Sequence, residues 1–205
     1  MKPIILVIFL TTNILYAQKI VKKTIINPKI EAITLDVTNS FELSVETAPG
    51  NRIMIEAAID GEYSNDLLVN VKESGNTLLV NTEFQPNFKK PNDKLSAHKV
   101  ISIALKVLLP ERKRVTIFGT VCNVTAKGSY GKLKITLSEG RCHLESISGT
   151  AEAATLSGTI SVLARNAEIK ATSKYGRVGR NQIPLGDTFY DVSSVTGDIL
   201  LDKIE

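Results

Sequence analysis

Gly131-Lys132-Leu133-Lys134-Ile135-Thr136-Leu137-Ser138-Glu139, followed by Gly140 to Ser148, Gly149 to Ser157, Gly158 to Asn166 and Ala167 to Tyr175, is a run of nine-residue units. Each opens on a small residue, and Gly176 continues the series. Apolar residues recur at the third, fifth or seventh place. Alternation at period 2 specifies a strand. Nine residues are too few for a helical repeat, but they suit one short strand and one tight turn. The small residue opens backbone conformations closed to bulky side chains. Two units make 18 residues, and an 18–20 residue coil is expected of a β-solenoid, whose coils stack in parallel about 4.8 Å apart.

The cysteines extend this reading upstream. Gly119 to Val124 aligns with Glu139 to Leu144, placing Cys122 and Cys142 at equivalent places in successive coils, 20 residues apart. Parallel neighbours at about 4.8 Å lie within disulfide range. A Cys122–Cys142 disulfide is therefore one expectation, and two buried free thiols the other.

Ahead of the repeats, short alternating runs (Ile33, Leu35 and Val37; Phe41, Leu43 and Val45; Leu67, Val69 and Val71) are broken by Pro49-Gly50-Asn51, Asp60-Gly61 and Ser74-Gly75-Asn76. These predict about five antiparallel strands over 30–83. Residues 84–99 are polar, carry Pro86 and Pro91, and predict a long loop. Val100 to Leu109 predicts a further strand. Downstream, 177–187 is an irregular insertion, and 188–205 predicts a last coil with a closing strand. The N-terminal strands are expected to cover one end of the stack and 188–205 the other, since bare edges would polymerise.

The first seventeen residues carry Lys2, an apolar run from Pro3 to Leu15 and the close Leu15-Tyr16-Ala17, which predict a signal peptide cleaved before Gln18. No later segment approaches the roughly 20 apolar residues of a membrane span. The expected layout is therefore signal peptide 1–17, linker 18–29 and an all-β solenoid domain 30–205. That domain has a strand-rich part over 30–115 and repeat coils over 116–205. The net charge of +4 is scattered among both signs and gives no nucleic-acid footprint. Tryptophan is absent.

The residues predict no catalytic machinery. His98 and His143 are the two histidines, and neither has a metal-binding neighbour at helical spacing. Cys122, Cys142 and His143 lack an evident fourth zinc ligand, so no metal or cofactor site is expected. Glu139, Glu145, Glu152 and Glu168 are scattered. The Asp60 to Asp66 stretch fits a solvated turn better than a calcium loop. Lys89, Lys90, Lys94, His98 and Lys99 form a weak basic stretch near Phe84 and Phe88, which fits a solvated loop better than a contact for an anionic glycan or lipid headgroup. Asn123-Val124-Thr125 is a formal glycosylation sequon.

The units Ser148-Gly149-Thr150 and Ser157-Gly158-Thr159, the closing Val195-Thr196-Gly197-Asp198-Ile199 and the leader resemble those of the bacterial adhesin-like β-solenoid family, including head GIN domains. The segment Asn92 to Val100 resembles one in exported proteins of this type. The resemblance covers roughly 30–205. It implies a right-handed β-helix-like fold, a cell-surface or periplasmic location and no catalytic residues. The chain departs from the family in its irregular 177–187 segment. The expected function is an exported, non-enzymatic interaction module at the cell envelope, with a protein or glycan partner. The alternative is a glycan or small-ligand sensor using the 84–99 and 177–187 loops.

Overall fold

Period-2 alternation becomes strand wherever a row of apolar side chains can face a shared interior. The computed structural model describes residues 19–61, 64–88 and 102–204; the expected leader, His98 and the 89–101 part of the loop and following strand lie outside the described residues. The strands are β1 (Lys19–Ile26), β2 (Ala32–Asp36), β3 (Glu42–Ala48), β4 (Arg52–Asp60), β5 (Leu67–Ser74), β6 (Thr77–Phe84), β7 (Ser102–Pro110) and β8 (Arg114–Val121). They continue as β9 (Asn123–Ser129), β10 (Lys132–Glu139), β11 (Cys142–Ser148), β12 (Thr150–Thr155), β13 (Ile160–Ala164), β14 (Glu168–Ser173), β15 (Phe189–Ser194) and β16 (Ile199–Lys203). The segment expected as a linker thus carries β1.

Two eight-stranded sheets result, one ordered β1-β4-β7-β3-β9-β11-β13-β16 and the other β5-β6-β2-β8-β10-β12-β15-β14. Most pairs are parallel; the antiparallel pairs are β1–β4, β4–β7 and β5–β6. Successive strands alternate between sheets over much of the chain, so each strand–corner–strand unit is one coil. From β8 to β13 coils follow one another in chain order at a shift of 18 residues, with Arg114 beside Lys132 and Cys142 beside Ile160.

At both ends the stack order departs from the chain order. The β2/β3 coil sits between β6/β7 and β8/β9, although it precedes both in sequence. The β15/β16 coil sits between β12/β13 and β14. Two expectations are corrected. Residues 30–83 are not a run of antiparallel hairpins: only β5–β6 is one, and the corner after β2 carries the chain into the opposite sheet. Residues 188–203 close the stack only in part: β16 is the edge strand of the first sheet, bridged at Ile199 by Val178 of the insertion, whereas β14 and not β15 is the edge strand of the second. The side chains explain the second correction. β15 carries Tyr190 and Val192, each fully buried and needing cover on both sides, whereas Ile169 and Ala171 of β14 are only partly buried.

The interior is one continuous cluster of apolar side chains from Ile30 to Leu201. Ala151 and Ala153 on β12 leave room for Tyr190, which stands beside Ala151. Its hydroxyl accepts from the Ile147 N–H at 3.2 Å and lies 3.4 Å from the Ile147 carbonyl. Those groups are freed by a bulge at Ser146, where φ is 49°. Tyr130 likewise donates within the core, to the carbonyls of Val45 and Lys127. A buried tyrosine that satisfies otherwise stranded backbone groups avoids the desolvation cost of leaving them unpaired.

Register separates the two cysteine expectations in favour of buried free thiols. Cys142 pairs with Val124, and Val121 pairs with Glu139, so the coil shift is 18 residues and not 20. Cys122 therefore lies under Gly140, and the two thiols are free and buried. Burial pushes each thiol up to about 12.

One corner shows how the coils close on each other. A Cβ on Gly140 would lie 2.1 Å from the Cys122 carbonyl oxygen, and its φ is +97°. The same close approach stacks Gly158 on Gly140, Gly197 on Gly158 and Gly176 on Gly197, which follows the stack order and not the chain order. Hydroxyls three residues before Gly158, Gly176 and Gly197 complete the corner. Ser194 accepts from the Gly197 N–H at 2.9 Å, and Ser173 accepts from the Gly176 N–H at 3.0 Å. Thr155 donates to the Gly158 carbonyl at 2.6 Å.

Candidate functional site

Because interior positions alternate with exterior ones, each sheet shows solvent a grid of side chains in register. On the first sheet one outward row reads Lys22, Glu56, Lys106, Ser44, Thr125, His143, Ser161 and Leu200. The next reads Thr24, Met54, Leu108, Glu46, Lys127, Glu145, Leu163 and Asp202. Charges of opposite sign stand beside each other. Lys22–Glu56 is 2.9 Å and Lys127–Glu145 is 2.8 Å. These contacts hold the Glu56 and Glu145 carboxyls below the usual carboxylate range, chiefly through hydrogen bonds from Lys22 and Lys127. Both pairs are solvent-exposed, so they organise the face more than they stabilise it.

Shallow grooves mark these faces. One of about 390 Å³ on the first sheet is lined by Lys22, Lys23, Glu46, Glu56, Lys106 and Met54 among others. On the second sheet a groove of about 540 Å³ crosses β8, β2, β6 and β5, with Phe118, Asp36, Asn81, Asn70, Leu79 and Lys72 in its lining. A third, about 490 Å³, follows the corner past Phe118, Thr136, Leu156 and Val195. Sequence reasoning assigned no binding role to these residues. Those of the second-sheet groove lie on ordinary alternating strands, and only the interleaved strand order brings β8, β2, β6 and β5 side by side.

The residues considered from sequence do not converge. His143 projects from β11 with Nδ1 2.6 Å from the Ser161 hydroxyl. Glu145 pairs with Lys127 on the first sheet, and Glu152 pairs with Lys132 at 2.6 Å on the second. Glu168 lies on the edge strand β14, and Glu139 ends β10. Among the described residues no group of three or more His, Cys, Asp or Glu is placed to hold a metal ion. Asp60 accepts from the Gly61 N–H in a turn, and the Asn123 side chain accepts from the Arg141 N–H. The lysines at 89, 90, 94 and 99 lie outside the described residues. Phe84 and Phe88 stack with ring centres 4.4 Å apart.

The 177–187 insertion covers the stack end. Ile183 is buried at 6% exposure, Ala167 donates to the Pro184 carbonyl, and Arg177 holds Asp198 at 2.9 Å. Hydrogen bonds from Arg177, through its backbone N–H and then its side chain, lower the Asp198 carboxyl.

Two opposed, mostly parallel sheets built from strand–corner–strand coils define an all-β, solenoid-like class of protein. A crystal structure described as "a putative cell adhesion protein" from Clostridium sporogenes has this fold: the match covers 92% of this chain and 100% of that one, at 14% identity and a TM-score of 0.64. Solved structures described as "a putative adhesin", from Bacteroides fragilis and Parabacteroides merdae, also match. They align over 92% and 91% of this chain and 98% and 97% of theirs, at 12% and 13% identity, each with a TM-score of 0.29. The fold comparison rests on the Clostridium structure. No family model matches the chain, and no curated protein matches it. No helix of the described residues is long and apolar enough to cross a membrane.

Proposed function

We propose that this chain is an exported, non-enzymatic interaction module, a right-handed β-solenoid that works at the cell surface or in the periplasm through its broad outer faces. The observation that carries the reading is the pair of continuous eight-strand grids, in which side chains from up to eight strands stand in register on one open surface. Such a surface suits an extended partner, because binding area accumulates across many shallow contacts. The description of the Clostridium structure as a cell adhesion protein supports the same direction.

Two experiments test this. Fractionation of cells expressing the full chain is expected to place it in the envelope or medium with its N-terminus at Gln18. A cytoplasmic chain retaining Met1 would contradict export. Purified protein is expected to sediment saturably with envelope preparations, and the absence of saturable binding would contradict the interaction role.

A further inference from the structure

The groove on the second sheet differs chemically from the one on the first. The first is dominated by lysines and glutamates that face each other. In the second, Phe118, Asp36, Asn81 and Asn70 occupy one row across four neighbouring strands, and Thr116, Thr34, Leu79 and Lys72 occupy the next. Phe118 is 41% exposed and Leu79 38%, so an apolar surface lies open beside the polar row. Asp36 is fixed through one oxygen, which accepts from the Thr38 backbone at 3.0 Å and its hydroxyl at 2.6 Å. Both amides donate to Glu83, Asn81 at 3.4 Å and Asn70 more closely. Lys23 and Lys72 also line this groove, and neither has an ion-pair partner among the described residues.

We propose that this groove binds a short stretch of glycan containing an acidic sugar. Adjacent strands set the polar groups about 4.8 Å apart, a spacing commensurate with consecutive sugar rings. A carboxylate and two amides offer paired hydrogen-bonding atoms to vicinal hydroxyls. The face of Phe118 suits the C–H face of a ring, and polar groups with one aromatic platform form a directional site. At the β5 end, Lys72, joined by Lys23, supplies the charge-assisted contacts that a uronate carboxylate takes. The groove is open, which favours a chain segment over an enclosed metabolite. This deepens the interaction-module reading by naming a ligand class and a place. It rests on that reading for the idea that the outer faces are working surfaces.

Calorimetric titration of the purified chain with tetragalacturonate, with cellotetraose as neutral comparator, tests it. The acidic tetramer is expected to bind with a submillimolar Kd and at least tenfold more tightly than the neutral one. Phe118→Ala is expected to weaken it by about tenfold, the effect of losing roughly 1.4 kcal/mol of ring contact. Asn81→Ala is expected to weaken both tetramers, and a Lys23→Ala/Lys72→Ala double variant the acidic one alone. Lys106→Ala, on the opposite sheet, should leave binding unchanged. Each variant's melting temperature confirms folding. Absence of binding at millimolar tetramer, equal affinity for the neutral tetramer, or full affinity in Phe118→Ala and Asn81→Ala would overturn the proposal. The envelope sedimentation assay separates the two readings. Saturable envelope binding without uronate binding removes only the groove assignment, and uronate binding without envelope binding removes only the module reading.

Discussion

The two ends of the stack solve one problem with different means. At the end nearer the N-terminus, β4 and β5 run antiparallel to the coil strands, and β1 pairs antiparallel with β4, so that both sheets are closed. The Lys19 ammonium completes the closure by donating to the carbonyls of Ser64 and Leu67, each at 3.0 Å. The far end has no such antiparallel layer. There β14 keeps its inner face partly exposed, and a non-strand segment folds back to bury Ile183. Antiparallel strands break the parallel register, and the lysines of β1 make that edge a poor template for another chain. The far end uses one buried side chain and irregular backbone, so it is the weaker closure. A stack cooperates through neighbouring coils, so the more weakly covered end should open first.

The largest effect is expected between the ends, where the corner glycines set the coil spacing. Gly140→Ala adds a Cβ against the Cys122 carbonyl at a positive φ, and should cost about 3 kcal/mol or more, read as a fall in the denaturation midpoint. Next comes Ile183→Ala, which should cost about 2 kcal/mol. Its signature is faster hydrogen exchange in β14 and β16 with β1 to β5 unchanged, and uniform acceleration would break the comparison. Smaller again, Lys19→Met should cost about 1 kcal/mol, with the exchange increase confined to β1 and β5. Smallest is Lys127→Ala, which should barely move the denaturation midpoint, because its partner Glu145 sits on an exposed face.

The pH dependence follows from the interior. Burial raises both thiols from an ordinary value near 9 to about 12 and the Tyr190 phenol from near 10 to about 12, and it raises Tyr130 further. Each group is held protonated in the folded chain, so in alkali the unfolded chain binds fewer protons. Stability is therefore full below about pH 9 and is expected to fall through pH 12, in urea melts taken at stepped pH.

The strands and much of the coil period were legible because alternation and small turn residues are local properties. Gly140 and Gly158 mark one corner at 18 residues. The hydroxyls three places before Gly158, Gly197 and Gly176 were not legible as a corner device, because Leu137 holds that place before Gly140. The 20-residue cysteine spacing misled, because Cys122 sits at a corner and Cys142 opens a strand. The order of coils was not legible. Parallel strands with the same alternation accept one another in register almost interchangeably, and long-range packing decides between them. The need to bury Tyr190 on both sides is such a term. The candidate groove was hidden for the same reason: its row joins residues 36, 70, 81 and 118, which no local pattern connects.

The interleaved order is open to one direct measurement. Glu152→Cys/Asp191→Cys and Glu152→Cys/Lys170→Cys are oxidised in the folded chain, and the bonds are mapped by mass spectrometry. Because β15 lies between β12 and β14, Glu152 faces Asp191 and not Lys170. The 152–191 pair should form a disulfide and the 152–170 pair should remain reduced. A 152–170 disulfide with no 152–191 bond would mean that the coils stack in chain order.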